Sequence, residues 1–357
     1  MHIAIHPDSF AGESFSDHWI TYFRKHEIET IKVDLRTPAG FNSATGAGGV
    51  MWRYGHNPQD KQSAGRILYT LENLYRVPTF PNQTLIWPFD EKTSQYYLLK
   101  ALNAPIPDTW LFWDYGQALD FITTASYPLV FKLSSGASGS NVQRIETKEE
   151  AASLCWHMFH RGIFPRLWIP RNDSEEYDRL SNRIRARIVK IQEALFRAKD
   201  SARYFLRNQY PPLPAHFWKA EFGYLYIQEY LPGNEFDTRV YVIGKHAAAV
   251  RRLNRPGDFR ASGSNRPDFD QAAIDKRCIK IAYEISQRAG FSSMSYDFLF
   301  KSGQPVISEF GYTFGESLPV GCPGWYNADL TYTPGKRSPG ELQAEAFLDK
   351  IQYKRNN

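Results

Sequence analysis

Two hydrophobic runs near the C-terminus, Ser295-Tyr-Asp-Phe-Leu-Phe300 and Val306-Ile-Ser-Glu-Phe310, are separated by Lys301-Ser-Gly-Gln-Pro305, and each run carries one acid. Aromatic and β-branched residues fill both runs and turn formers fill the connector, a pattern that predicts two antiparallel strands joined as a hairpin. Register then decides what the acids can do. If residues 301 to 305 all lie in the loop, Phe300 pairs with Val306 and Asp297 stands opposite Glu309 on one face. A loop one residue shorter puts them on opposite faces, because side chains alternate along a strand. In the first register two carboxylates repel each other unless a cation sits between them. The other reading is a pair of solvated charges on an exposed sheet face.

A chain of 357 residues can bury a sizeable core and hold two or three compact units. Its hydrophobic content of 42% and charged content of 23% are those of a globular protein, with a high aromatic share of 15%. The start, Met1-His-Ile-Ala-Ile-His6, lacks the charged flank and long apolar core of a signal peptide, and the longest apolar stretches are strand-sized. The expectation is a cytoplasmic protein without a membrane span. Cys155, Cys278 and Cys322 are odd in number and widely spaced, which suggests reduced thiols and neither a disulfide framework nor a zinc site. A net charge of +5 falls short of a nucleic-acid-binding signature and suits an anionic ligand.

Four segments are expected. Residues 1–90 alternate strands (Ile3-Ala-Ile5, Thr30 to Leu35) with a helix through Trp19 and Phe23, the pattern of a small, mainly parallel α/β unit. Residues 91–227 begin with a helix from Thr93 to Leu102 and include the strand Leu129-Val-Phe-Lys-Leu133. Residues 228–340 carry strands at Thr238 to Gly244 and Ala247 to Arg251, a helix from about Asp270 to Ala289, and the acidic hairpin. Residues 341–357 are read as a tail. Within the second segment, residues 172–209 place Tyr177, Leu180, Ile184, Ile188, Ile191 and Leu195 at spacings of three and four, predicting one long amphipathic helix. Its other face is crowded with arginine, from Arg179 to Arg207. A solvated face, a lid for an acidic substrate and a homodimer contact through the apolar stripe are the three readings of this helix.

Ser134-Ser-Gly-Ala-Ser-Gly-Ser-Asn141 follows the Lys132 strand, and its glycines permit the positive φ angles with which backbone N–H groups wrap an anion. It is no Walker A loop, since Gly-Lys-Ser/Thr is missing. Lys132 itself, in an apolar strand, needs an anionic partner if it points inward. Arg239, Arg251, Arg252 and Arg260 form a second group that could neutralise phosphate. His157 and His160 lie at helical spacing without a third ligand nearby and read as an ordinary helix face.

Lys92 in Asp90-Glu-Lys92, Lys132 with its Gly/Ser loop, Gln228-Glu-Tyr-Leu-Pro-Gly233, Asp237-Thr-Arg239, Arg251-Arg252, Gly257-Asp-Phe-Arg260, Asp297 and Glu309 follow one another in an order that resembles the ATP-grasp superfamily. The resemblance spans about residues 50 to 320 and is nearest the glutamate-adding branch that modifies ribosomal protein S6. It implies an α/β and α+β ATP-grasp fold with an N-terminal pre-ATP-grasp α/β domain and a long helical insertion. It implies further that Lys92 and Lys132 hold the α- and β-phosphates, and that Gly136, Ser138 and Gly139 belong to the flap over them. Glu229, Tyr230 and Leu231 would form the adenine-reading hinge, Asp237 would bind ribose, and Arg252 and Arg260 would face the γ-phosphate and acyl-phosphate. Asp297 and Glu309 would hold magnesium, or manganese in its place. Two departures stand out. The family's Asn two residues after the second acid is Gly311, leaving Tyr312 or a water as substitutes, and its Arg-Ser-Asn is Arg260-Ala-Ser262, with Asn265 displaced.

The activity this implies is ATP-dependent joining of a small-molecule carboxylate to an amine. Cys322-Pro-Gly-Trp-Tyr-Asn327 looks similar to ATP-grasp proteins of surface-polysaccharide clusters, which suggests joining an amino acid to an anionic glycan or sugar acid, with a peptide acceptor or amino-acid ligation as the alternative within the class. A hydroxyl-phosphorylating kinase and a non-catalytic nucleotide-binding protein are the rival classes.

Overall fold

The computed structural model describes residues 2–8, 14–136, 139, 141–165 and 219–356. The arginine-rich stretch 172–209 and Ser138 lie outside them. Among the described residues the strands form three sheets. The first is parallel, in the order β2 (Glu29–Lys32), β1 (His2–His6), β3 (Gly49–Trp52), β4 (Thr79–Phe80). Its crossovers carry α1 (Phe15–Lys25), α2 (Pro38–Thr45) and α3 (Pro58–Tyr69), as an alternating pattern requires. Ser14, Thr37 and Asn57 cap these helices by accepting from backbone N–H groups of the first turn.

After the short α4 (Gln83–Ile86), α5 (Lys92–Ala101) leads into the second sheet, ordered β5 (Thr109–Phe112), β8 (Leu225–Glu229), β6 (Leu129–Lys132), β7 (Val142–Ile145). α6 (Tyr115–Thr124) and α7 (Lys148–His160) cover one face of it around Phe131, Ile145 and Ile227. Val130, Lys132, Tyr226 and Gln228 are buried on the other face, by the two-residue alternation.

The third sheet is antiparallel and seven-stranded, ordered β13 (Gln304–Gly311), β12 (Ser293–Lys301), β9 (Phe236–Ile243), β10 (His246–Leu253), β14 (Gly324–Asn327), β15 (Tyr332–Pro334), with β11 (Pro267–Asp268) on β10. A single 3₁₀ turn, Gln271–Ala273, precedes the helix Lys276–Ala289, so the helix is shorter than the sequence suggests. The first and third sheets share one hydrophobic core, and the second sheet has its own. Residues read as a tail are in fact the helix Pro339–Asn356, which buries Leu342, Ala344, Phe347 and Ile351 and packs on α1. Trp19 Nε1 donates to Gln343 Oε1 at 3.2 Å across that contact.

The acidic hairpin brings its two acids opposite each other by a route different from the expected five-residue loop. Lys301 pairs with Gln304 and Phe300 with Pro305, leaving a two-residue turn at Ser302 (φ 48°) and Gly303 (φ 74°). Both turn residues are left-handed, as a tight hairpin turn demands. Continued regularly, this register would set Asp297 against Ser308 and turn Glu309 away. A β-bulge between Ile307 and Glu309 shifts the ladder by one, and Asp297 pairs with Glu309. Ser308 Oγ donates to Asp297 O at 3.0 Å and pins the bulge.

A Cβ on Gly303 would meet no atom within 4 Å, so the cost of Gly303→Ala is purely that of the left-handed backbone. Its stability should fall by about 1 kcal/mol in a denaturant melt with an unchanged m value.

Candidate active site

The cleft between the second and third sheets collects charge from three separate elements. Lys92, at the start of α5, is buried, with Nζ 3.3 Å from Glu309 Oε1 on β13, and donates to Gly136 O at 3.1 Å. Burial pushes its pKa down, but Glu309 and Asp90 more than reverse this, and the net shift is upward. Lys132, at the end of β6, points inward. Its Nζ donates to Gln228 Oε1 at 2.7 Å and to Ser308 O, on the bulge, at 3.4 Å. Burial lowers its pKa to about 8, against the opposing pull of Glu309. The two lysines thus flank Glu309, whose side chain is 31% exposed while that of Asp297 is 7% exposed.

Asp297 is clasped by arginine. Arg239 donates to it from Nε at 2.6 Å and Nη2 at 2.7 Å, a bidentate pair across the β9–β12 ladder, and Arg252 Nη2 donates at 2.8 Å. Burial alone would raise its pKa, but the two guanidiniums hold it down at about 2. Arg252 also clamps Asp237, from Nε at 2.8 Å and through Nη2. The carboxylate that the resemblance assigns to ribose is therefore engaged with Arg252 and 5% exposed.

Of the four grouped arginines, the three on strands separate by parity. Arg239 and Arg252 converge on Asp297, whereas Arg251, one residue from Arg252, faces the other side and pairs with Asp268. Arg260 lies in the loop after β10, holds Asp258, and donates from Nη1 to Gly139 O at 2.9 Å, tying that loop to the flap. Gly139 has φ 68°, and a Cβ there would sit 3.2 Å from Arg260 Cδ. At the hinge, Glu229 accepts from Asp108 N at 2.7 Å and from Lys301 Nζ at 2.7 Å. The Tyr230 ring is covered by the Arg144 guanidinium at 4.3 Å, and Leu231 O accepts from Asn234. A cavity of about 640 Å³ lined by Trp110, Tyr127, Arg144, Glu229 and Tyr230 adjoins this hinge.

Tyr312, a suggested substitute for the Asn missing at Gly311, lies in the core with its hydroxyl donated to Tyr54 O at 3.0 Å. Asn265, the displaced counterpart of the Arg-Ser-Asn asparagine, is exposed. His157 and His160 bond to carbonyls of their own helix. Among the described residues no group of three or more His, Cys, Asp or Glu could hold a metal. Asp297 and Glu309 on neighbouring strands still offer the hard oxygen donors that magnesium takes. Gln228 and Asp90 stand in the sequence only as members of motifs, without the roles found here: Gln228 accepts from Lys132, and Asp90 holds a flap amide together with Glu221, which the sequence did not single out.

No protein-family model matches the sequence, and no curated protein sequence matches it. Solved structures do match in fold. The RimK domain ATP-grasp protein from Sphaerobacter thermophilus superposes with a TM-score of 0.53 at 13% identity, covering 98% of this chain and 100% of that one. D-cycloserine synthetase DcsG gives 0.56 at 13% identity, covering 98% and 100%. D-alanine–D-alanine ligase from Bacillus anthracis gives 0.51 at 12% identity, covering 100% and 99%. The chain has the ATP-grasp fold. Among its described residues no helix is long and apolar enough to cross a membrane.

Burying Lys132 penalises folding wherever the unfolded lysine would hold its proton and the folded one would not wish to. That penalty is full below about pH 8 and is relieved as pH rises towards the ordinary lysine value. Lys132→Met should therefore stabilise the chain at pH 7 by about 2 kcal/mol in a denaturant melt, while removing anion binding at the cleft.

Proposed function

We propose that the chain is an ATP-dependent carboxylate–amine ligase that works through an acyl-phosphate. The convergence of Lys92, Lys132, Asp297 and Glu309 from α5, β6 and the β12–β13 hairpin on one cleft carries this reading. Lys132 and Lys92 would neutralise the α- and β-phosphates, with Gly136 to Ser140 over them and adenine at Glu229 to Leu231. Asp297 and Glu309 would hold magnesium, which when bound neutralises charge on the β- and γ-phosphates. Arg239 pairs with the single negative charge of Asp297, and Asp237 fixes Arg252; for Asp237 to take ribose it would have to leave that arginine.

In the first step a substrate carboxylate oxygen bonds to the γ-phosphorus as the bond to the β-phosphate oxygen breaks and ADP leaves. In the second an amine bonds to the acyl carbon, phosphate leaves, and the amine loses a proton. Arg252 and Arg260 would stabilise the charge that develops, Arg252 by turning from the acids it now holds. Arg260 also bonds to the flap through Gly139 O, which ties its loop to the flap. Small-molecule carboxylates and amines are the proposed substrates, with an anionic glycan or sugar acid as the acceptor that the Cys322 to Asn327 stretch suggests.

Hydroxylamine trapping tests the chemistry, because only a ligase that makes an acyl-phosphate yields a hydroxamate while forming ADP. A kinase would form ADP and a phosphorylated alcohol without it. Glu309→Gln should lower magnesium-dependent ADP formation by at least about a hundredfold without changing the fold; intact turnover in that variant would overturn the site. The affinity for magnesium–ATP should also weaken as pH rises through about 8, as Lys132 loses its charge, and Lys132→Arg should flatten that profile in calorimetric titrations.

A further inference from the structure

The loop after β6 opens with three successive backbone N–H groups, and each is already donated to a carboxylate. Ser134 N donates to Glu221 Oε2 at 2.8 Å and to the Tyr224 hydroxyl at 2.7 Å. Ser135 N donates to Glu221 Oε1 at 3.1 Å, and its hydroxyl donates to the same oxygen. Gly136 N donates to Asp90 Oδ1 at 2.8 Å. Consecutive amides in a Gly/Ser turn make an anion-binding concavity, and here its anions come from elsewhere in the chain.

The two acids differ in how firmly they are built in. Asp90 has a side chain only 1% exposed and also pairs with Lys61 at 3.0 Å, with His56 Nδ1 at 3.4 Å. Burial opposes its charge, but His56, Lys61 and Lys92 hold its carboxyl far below the usual carboxylate range. Asp90 is a fixed strut. Among the described residues Glu221 has no cation within ion-pair distance; its partners there are the two amides, the Ser135 hydroxyl and the Tyr224 hydroxyl. It lies beside Glu91, whose pKa is raised by burial and, after the opposing Thr93 bond, by the Glu221 charge. Lys92 also responds to Glu221, which sets that carboxylate in the same electrostatic field as the cleft lysines. An acid held only by neutral donors and repelled by a neighbouring acid is the one of the pair that a stronger anion can displace.

We propose that Glu221 is an internal stand-in for phosphate: its carboxylate holds the first two amides of the flap loop while the cleft is free of nucleotide, and it must release them for phosphate to bind. The nucleotide part of this inference rests on the function proposed above. Glu221 is a positioning residue, and its substitution should change affinity rather than the rate of chemistry.

The test is calorimetric titration of the full chain with magnesium–ATP, with inorganic tripolyphosphate and with adenosine. Glu221→Gln keeps the shape but trades charge-assisted bonds for neutral ones, and should tighten ATP and tripolyphosphate binding roughly tenfold, with adenosine unchanged. Ser135→Ala removes one donor from the latch and should shift both in the same direction by a smaller factor; it decides the matter if the Gln variant does not fold. In turnover, KM for ATP should fall with kcat unchanged. A folded Glu221→Gln protein that binds ATP and tripolyphosphate no better than the parent overturns the stand-in role. Tighter tripolyphosphate in the variant, with no ATP binding by either protein, upholds the latch and overturns the nucleotide reading.

Discussion

A buried row of alternating charge, Asp237, Arg252, Asp297 and Arg239, runs across β9, β10 and β12, and the candidate site depends on it. The row holds two acids and two bases, so it is balanced within itself. Taking any one away would leave an unpaired charge in a region where that costs roughly 3–5 kcal/mol. Its arrangement also fixes register. Asp297 lies across from Arg239 on one side and from Glu309 on the other, so the strand order that satisfies the row presents Glu309 to Lys92.

Lys132 shows the other side of this arrangement. Its ammonium is placed where burial disfavours it, supported by one side-chain amide and one backbone carbonyl. A structure optimised for stability alone would put an apolar residue there. Gln95, on α5, helps to hold the surrounding frame, donating from Nε2 to Phe310 O at 2.9 Å and Pro88 O at 3.0 Å. The cleft thus lies at the meeting of two independent cores, one beneath the second sheet and one shared by the first and third. That boundary is where polar side chains can be buried without interrupting hydrophobic packing.

Much of this was legible because strand parity is written into sequence. Alternation of the residues around Asp297 and Glu309 named the hairpin, and the alternating pattern of the first 90 residues named the parallel sheet. The loop was misjudged because Pro305 looked like a turn residue. β13 is the edge of its sheet, where a residue without an N–H can sit in a strand without losing a partner. The bulge at Ser308 left no local mark, since it is specified by what lies across the ladder. Arg251 and Arg252 read alike in sequence, yet adjacent strand residues face opposite ways, and only one reaches Asp297. Asp90 and Glu221 were invisible for a different reason. Nothing in either stretch marks its acid for this role, whose meaning comes from amides distant in the chain.

The helix Pro339–Asn356 on α1 has a consequence for how the protein comes to be. Trp19 and its partner Gln343 are 324 residues apart in sequence, and both are buried where the last helix packs on α1. On a ribosome, the opening strand and helix emerge long before the segment that covers them. They must wait, partly bare, through the synthesis of both other sheets. A chain with so distant a closing contact folds slowly and is open to wrong associations in the interval. An element made well before its cover is among the last to be finished, and newborn copies would be expected to lean on chaperones at that stage.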